Sequence, residues 1–117
     1  MFSGIKSVIY PSDNLEKDKA HWTAVLGFEP YFDKPYYVGF SVNGTELGLD
    51  PNAKSEGLAY PISYWFVENA NEATDILLNA GSTMNTEIKD VGGIFMGTFK
   101  DTSGNIFGII EHQNEKS

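Results

Sequence analysis

The 117-residue sequence contains no cysteine, no arginine and only two histidines. Without cysteine it cannot build a disulfide framework, a thiolate zinc site, an iron–sulfur cluster or a cysteine nucleophile. Without arginine it lacks the bidentate guanidinium grip on phosphate or carboxylate. The eight basic residues, all lysine, stand against 16 acidic ones, giving a formal net charge of −8. Such a chain repels the phosphate backbone, so we expect no nucleic-acid partner.

Long apolar runs are also missing. The N-terminus, Met1–Lys6, lacks the apolar run of a signal peptide. No stretch approaches the ~20 apolar residues that a membrane-spanning helix needs. We therefore expect a cytoplasmic protein with no membrane partner. With 41% hydrophobic and 14% aromatic residues, the chain can bury a core, and its length fits one domain over residues 1–117.

The hydrophobic pattern predicts strand, helix and three strands, and then the same order again. Asn14 and Asn69 are suited to cap the two helices at their start, and Gly27 and Gly81 to end them. Asn43-Gly44 is a strong hairpin signal. The predicted strands cover residues 5–11, 28–33, 36–43 and 45–50 in the first half, and 60–67, 83–88, 93–100 and 105–111 in the second.

The two halves also match in sequence. The segment Gly44-Thr-Glu-Leu-Gly48-Leu49 corresponds to Gly104-Asn-Ile-Phe-Gly108-Ile109. A repeat of about 55 residues predicts two copies of one unit, each with a bare sheet face. We expect an α+β fold of two paired βαβββ modules, forming a curved mixed sheet around a cleft. Module one covers residues 4–50, a linker 51–59, and module two 60–112.

Two motifs resemble the vicinal oxygen chelate superfamily, the glyoxalase/bleomycin-resistance/dioxygenase group. The first is Asn14-Leu-Glu-Lys, followed by His21-Trp22 and Leu26-Gly27-Phe28. The second is Phe99-Lys-Asp101-Thr-Ser-Gly104-Asn105. The resemblance covers about residues 4–112. It implies paired βαβββ modules. It also implies a homodimer, because small two-module members of the superfamily commonly dimerise.

Metal-dependent members of this superfamily hold a divalent ion with four side chains, one from the first and one from the last strand of each module. Carried over by spacing, these positions are Ser7, Gly48, Ile62 and Gly108. Isoleucine and glycine have no donor atom, and serine is a poor ligand for zinc or nickel. We therefore expect neither a metal site nor another cofactor. The chain is not predicted to be a typical glyoxalase I or extradiol dioxygenase.

Strand alternation predicts which side chains line the cleft and which face the helices. The residues predicted to face the helices and form core are Val8, Leu47, Leu49, Trp65, Phe107 and Ile109. The two glycines at metal positions are expected to leave room for a ligand. The predicted cleft residues are Ser7, Ile9, Glu46, Gly48, Asp50, Ile62, Tyr64, Phe66, Gly108 and Ile110.

This composition predicts a metal-independent binding protein for a small apolar or aromatic ligand, which could be cationic. It would resemble the bleomycin-resistance proteins, which sequester an antibiotic. The alternative is a metal-free isomerase or lyase, with Glu46 or Asp50 as general base. Catalysis is the weaker hypothesis because the sequence selects no electrophile. A third reading is a degenerate cleft with a structural role only. The ligand's identity is not readable from the sequence.

Overall fold

The computed structural model describes residues 1–112. In chain order its elements are β1 (Phe2–Pro11), α1 (Leu15–Leu26), β2 (Phe32–Lys34), β3 (Tyr37–Val42), β4 (Thr45–Asp50), a short 3-10 helix (Lys54–Glu56), β5 (Ile62–Val67), α2 (Ala70–Ala80), β6 (Thr83–Val91), β7 (Ile94–Lys100) and β8 (Ile106–His112). None of the helices in this described range is long and apolar enough to cross a membrane.

The chain divides into two compact units. The first unit is Ser7–Ile62, and the second combines Met1–Lys6 with the chain from Ser63 onward. Strand β1 contributes to both: its first half hydrogen-bonds within the second unit, where the Met1 carbonyl accepts from the Glu68 amide at 3.2 Å. Its second half belongs to the first unit.

Both units have the same strand order. In the first unit the order is β2-β3-β4-β1, with β1 parallel to β4 and the other pairs antiparallel. In the second it is β5-β8-β7-β6, with β5 parallel to β8 and the other pairs antiparallel. One helix follows the first strand of each unit. The predicted α+β class with a repeated βαβββ order is confirmed.

The helix boundaries follow from their caps. The Asn14 side chain accepts the Lys17 amide at 3.1 Å, and the Asn69 side chain accepts the Glu72 amide at 2.9 Å. Each satisfies a backbone donor that the first helical turn would leave unpaired. Gly27 and Gly81 end the helices in the left-handed conformation, with φ of 87° and 111°.

Each unit has its core on the sheet face that its helix covers. In the first unit, Val38, Phe40 and Leu49 are buried against side chains of α1 and partly buried Leu47. In the second, Phe99 and Ile109 are buried with Ala70 and Ala73 of α2, and Phe107 packs against them. The four predicted core residues of β4 and β8 therefore face the helices. The alternate residues of the same strands lie on the opposite face.

Candidate functional site

The face of the first unit opposite α1 carries the candidate site. Strand register places Gly39 beside Gly48, and Ile9 on the other side of Gly48. Glu46 lies two residues before Gly48, on the same face, beside Ser7 of β1. Of the predicted cleft residues, Ser7, Ile9, Glu46 and Gly48 are therefore neighbours on one surface. We call this surface the Glu46 face.

Both carboxylate oxygens of Glu46 accept a tyrosine hydroxyl. Tyr31 donates to Oε1 at 2.6 Å, and Tyr37 donates to Oε2 at 2.5 Å. Among the described residues, Glu46 makes no ion pair within 4 Å. Its charge is stabilised by two neutral donors and is not cancelled by a lysine. The two hydrogen bonds hold the carboxylate in one position, and its negative charge remains available to a ligand.

Two facing glycines make the arrangement sterically feasible. A Cβ atom on Gly48 would overlap the Tyr37 hydroxyl and lie 2.7 Å from Ile9 Cδ1. A Cβ atom on Gly39 would lie 2.9 Å from Glu46 Oε2 and 3.1 Å from Tyr31 Cε1. Because neither glycine has a side chain, the carboxylate and the tyrosines can lie directly on the sheet. The prediction that Gly48 leaves open room is wrong, since the Tyr37 side chain fills it.

The surroundings keep both tyrosines protonated. Burial, then the hydrogen bond to Glu46, raise the pKa of Tyr31 to about 12. The same two causes, with burial again the larger, raise the pKa of Tyr37 well above its ordinary range. Both hydroxyls are therefore donors, and not phenolates, throughout the physiological pH range.

Aromatic rings adjoin the carboxylate. The Phe32 ring lies 6.4 Å from Tyr31, 6.1 Å from Tyr36 and 6.1 Å from Tyr37, between ring centroids. Tyr31 and Tyr36 are 62% and 59% exposed, which is high for large aromatic side chains. We call Tyr31, Phe32, Tyr36 and Tyr37 the aromatic wall. It offers exposed ring surface beside an uncancelled negative charge.

Three other predicted residues of the first unit are engaged in a turn or buried. Asp50 Oδ1 accepts the Asn52 amide at 2.8 Å, which shapes the turn after β4. Ser7 and Ile62 are buried, at 6% exposure each. Asp50 therefore has a structural role in the turn after β4.

In the second unit, Tyr64 pairs with Gly108, and Phe66 with Ile110, across β5 and β8. A Cβ atom on Gly108 would overlap the Tyr64 ring, so the room predicted at Gly108 is also filled. Tyr64 and Ile110 are buried at 9% exposure. The Lys6 amine lies 5.9 Å from the centre of the Phe66 ring, a cation–π distance.

A hydroxyl cluster lies beside Gly108 in the second unit. Thr98 of β7 pairs with Gly108 and is 3% exposed. Its hydroxyl accepts from Asn85 Nδ2 at 3.0 Å and lies 2.8 Å from the Thr86 hydroxyl. The Thr98 amide donates to Thr86 Oγ1 at 3.0 Å. The cluster joins β7 to the irregular strand β6, whose register shifts twice between Met84 and Lys89.

The four positions carried over from metal-dependent members do not fit a divalent ion. Ile62 and the two glycines supply no donor atom, and tyrosine side chains cover Gly48 and Gly108. Among the side chains that the structure describes, those of residues 1–111, no three histidine, aspartate or glutamate groups are close enough together to hold a metal.

The sequence selected Glu46 but missed its two partners. Tyr31 lies fifteen residues and Tyr37 nine residues from Glu46 along the chain. Neither tyrosine is among the cleft residues that strand alternation predicts. One signal was present: Tyr37 shares a face with Gly39, two residues on, and a glycine there lets a long side chain lie flat.

Neither a family model nor a curated protein matches the sequence. Solved structures do match. One is a glyoxalase/bleomycin resistance protein/dioxygenase superfamily member from Vibrio splendidus, with TM-score 0.70 and 13% identity, covering 92% of this chain and 98% of that one. A Streptomyces coelicolor methylmalonyl-CoA epimerase matches with TM-score 0.77 and 10% identity, covering 100% and 99%.

A methylmalonyl-CoA epimerase bound to methylmalonyl-CoA matches with TM-score 0.79 and 11% identity, over 100% of this chain and 99% of that one. At such identities the likeness concerns the fold. It agrees with the repeated βαβββ order and with the motifs around Asn14 and Asp101. The chain thus has the fold of the glyoxalase/bleomycin-resistance/dioxygenase superfamily, the vicinal oxygen chelate superfamily.

Proposed function

We propose that this chain is a metal-independent binding protein for a small organic cation with an apolar or aromatic body, similar in role to bleomycin-resistance proteins. The observation that carries the proposal is the Glu46 carboxylate, which accepts the hydroxyls of Tyr31 and Tyr37 and makes no ion pair with the side chains of residues 1–111. A cationic ligand would supply the missing countercharge. The Glu46 face is its binding surface.

The aromatic wall supports the same ligand class. A cation within about 6 Å of a ring centre is attracted by the negative face of the ring, and the gain is about 0.5–2 kcal/mol. Exposed rings of Tyr31 and Tyr36 also offer apolar surface to the body of a ligand. Lys34 pairs with Tyr37 across β2 and β3, and its positive charge at this exposed edge opposes the binding of a cation there. It makes no ion pair with Glu46 among the described residues.

The net charge of −8 favours such a ligand at longer range. An acidic protein raises the local concentration of cations around it and speeds their encounter. The charge alone does not select a site, since most of the acidic side chains are solvated. The binding site is defined by Glu46, because there a negative charge lies beside exposed aromatic rings.

A thermal-shift and calorimetric titration with benzyltrimethylammonium and with bleomycin tests the proposal. A probe at about 100 times its Kd should stabilise the fold by about 2.7 kcal/mol. Glu46→Gln should abolish the effect, because it removes the charge but keeps the shape. Glu56→Gln, at an exposed position of the 3-10 helix, makes the same charge change elsewhere and should leave binding intact. Absence of binding by both probes, or unchanged binding by the Glu46 variant, would overturn the proposal.

A second candidate is a metal-free isomerase or lyase with Glu46 as general base. It is favoured by the tyrosine hydroxyls at the carboxylate, which could return a proton to an intermediate. Structural neighbours described as methylmalonyl-CoA epimerases support the same reaction class. Deuterium uptake from D2O into methylmalonyl-CoA, followed by NMR, tests it. Uptake that disappears in Glu46→Gln supports catalysis, and no uptake above the uncatalysed rate rejects this substrate.

The homodimer and the cytoplasmic location stay predictions. Dimerisation is expected from the resemblance alone, and size-exclusion chromatography with light scattering measures it directly. A monomer at micromolar concentration would reject the dimer. It would not affect the proposal for the Glu46 face, which lies within one unit of one chain.

A further inference from the structure

Two irregularities in β6 build the hydroxyl cluster of the second unit. Against β7, one extra residue of β6 lies between Met84 and Thr86, and a second lies between Thr86 and Lys89. Neighbouring side chains of a regular strand point to opposite faces. Asn85 and Thr86 are neighbours, yet both contact Thr98 Oγ1, at 3.0 and 2.8 Å. The first irregularity therefore brings two adjacent side chains to one point, and β-bulges beside active sites re-aim side chains in the same way.

The hydrogen bonds of the cluster leave one hydroxyl proton over. Thr98 Oγ1 accepts a side-chain N–H of Asn85, and Thr86 Oγ1 accepts the Thr98 amide at 3.0 Å. The bond between the two hydroxyls uses one of their two protons. If Thr86 were its donor, the Thr98 proton would have no acceptor in the part of the chain that the structure describes, at a position only 3% exposed. A buried donor without an acceptor is costly, so Thr98 donates and Thr86 keeps the free proton.

The exposed end of the cluster carries the free hydrogen-bonding groups. Both lone pairs of Thr86 Oγ1 are engaged, one by the Thr98 amide and one by the Thr98 hydroxyl, so Thr86 has only a proton to offer. Thr86 is exposed, which makes this proton accessible to a ligand. Asn85 brings a second N–H and a carbonyl oxygen, for which the described residues supply no partner. Since Asn85 and Thr86 contact the same oxygen, these free groups lie close together.

The surroundings of the cluster suit an uncharged ligand with an apolar body. Thr98 pairs with Gly108, and two residues earlier Met96 pairs with Ile110, so these apolar residues lie on the same sheet face. Met96 is half-buried and offers a flexible apolar side chain. Charges of both signs follow the cluster along β6, at Glu87, Lys89 and Asp90. They provide no net positive charge that would hold an anion.

We infer that Asn85, Thr86 and Thr98 form a second ligand site, which binds the carboxamide group of a small neutral molecule with an apolar body. The carbonyl oxygen of the carboxamide accepts from Thr86 and from the free N–H of Asn85, and its own N–H donates to the Asn85 oxygen. Thr98 is a positioning residue, because its hydroxyl bond directs the Thr86 proton outward. The site lies within the second unit and does not depend on the function proposed for the Glu46 face.

NMR of the isotope-labelled full chain tests the assignment of the protons. The Thr98 hydroxyl proton should exchange slowly with water and show a through-space contact to Thr86, because it is buried and bonded. The Thr86 hydroxyl proton should exchange rapidly. Protection of the Thr86 proton would overturn the assignment, since that proton would already have an acceptor. Rapid exchange of the Thr98 proton would overturn it as well.

Titration with benzamide, followed by amide NMR spectra, tests the ligand class. Saturable shifts should appear at the backbone amides of Thr86 and Thr98 and at the side-chain amide of Asn85. Benzoate has the same shape but carries a negative charge and no N–H, so it should bind at least about fivefold more weakly. Thr86→Val keeps the shape of the side chain and removes the donor, and it should lower the affinity for benzamide by a similar factor.

Two further variants separate the hydroxyl from a merely structural role of Thr86. Thr86→Ser restores a hydroxyl and should keep the wild-type affinity. Thr83→Val makes the valine change at an exposed position of the same strand, outside the cluster, and should also bind normally. Thermal melting of each variant verifies that it folds.

Each contrary result has its own meaning. No saturable shift with benzamide would overturn the site. Binding of benzoate as tight as that of benzamide would overturn the carboxamide preference. Unchanged affinity in Thr86→Val, or an equal loss in Thr86→Ser, would overturn the role of the hydroxyl.

Discussion

At the scale of single residues, two glycines shape the candidate site as much as its charged group does. Gly39 and Gly48 face each other across β3 and β4, and each lies under a tyrosine that reaches Glu46. Any side chain at either position would occupy the space that a tyrosine or the carboxylate now fills. The chemistry of the Glu46 face therefore depends on the absence of two Cβ atoms.

Gly48→Ala should displace the Tyr37 side chain. The added methyl group would lie 2.6 Å from Tyr37 Cζ and 2.7 Å from Ile9 Cδ1, so the ring must move away. Overpacking of this kind costs about 1–3 kcal/mol of the free energy of unfolding. Urea denaturation measures the loss. In a Tyr37→Ala background the same substitution should cost less, and an equal cost in both backgrounds would contradict the steric explanation.

Alkaline pH should weaken the fold through Tyr31. Its pKa is near 10 in the unfolded chain and about 12 in the folded one, so folding favours the protonated form. The corresponding stability is complete below pH 10 and disappears as the pH rises toward 12. Tyr31→Phe should show a smaller decline in unfolding free energy over this interval. Matching declines in variant and wild type would contradict the shift, and absorbance at alkaline pH follows the phenolate directly.

The sequence allowed Glu46 to be selected because alternation alone assigns it to a strand face. Its partners could not be selected in the same way. A hydrogen bond between side chains nine and fifteen residues apart depends on strand register and on rotamer, and neither is encoded locally. The same limit explains the error at Gly48. A missing side chain predicts space, but a long side chain on the neighbouring strand, here Tyr37 of β3, can extend over the glycine and fill that space.

At the scale of elements, the helices were predictable and the short edge strand was not. The caps Asn14 and Asn69 and the stop signals Gly27 and Gly81 define helix ends through local chemistry. By contrast, residues 28–33 were predicted as a strand, while β2 covers only Phe32–Lys34. An edge strand pairs on one side only, so its length depends on its neighbour β3 more than on its own pattern.

Asn14→Ala should destabilise α1 by about 1 kcal/mol, because the Lys17 amide loses its acceptor. Asn14→Asp keeps an acceptor oxygen and should retain most of the stability. Asn69→Ala provides the matched case on α2, where the Glu72 amide is capped. Chemical denaturation of the four proteins makes the comparison. Equal stability of Asn14→Ala and Asn14→Asp would show that the cap contributes nothing.

At the scale of the whole molecule, the repeat predicts the fold but not the site. Both units share one strand order, and Gly48 and Gly108 occupy matching places in it. The residue paired with Gly48 on the third strand is Gly39, whereas Gly108 pairs with Thr98. The first unit consequently carries a carboxylate clamped by tyrosines, and the second a cluster of hydroxyls. The repeated hydrophobic pattern predicts the backbone of both units, whereas different residues at matching positions make the two units chemically different.

The net charge predicts opposite effects of salt on stability and on binding. Sixteen acidic residues against eight lysines repel one another in the compact state. Raising NaCl from about 20 mM to about 200 mM shortens the Debye length and should raise the melting temperature. The same change should weaken binding of benzyltrimethylammonium, because it screens Glu46 as well. Binding that is insensitive to salt would argue against a charge-driven site.

The turn between β3 and β4 limits how long the molecule stays chemically intact. Asn43 and Gly44 both have positive φ, 50° and 92°, and this turn sets the register that places Gly39 opposite Gly48. An asparagine followed by glycine is open to attack by the next backbone nitrogen, since glycine has no side chain to hinder it. The resulting deamidation adds a negative charge and can lengthen the main chain by one carbon. In stored protein the arrangement of the Glu46 face should therefore be lost before the helices, and intact mass together with ion-exchange chromatography measures the deamidation.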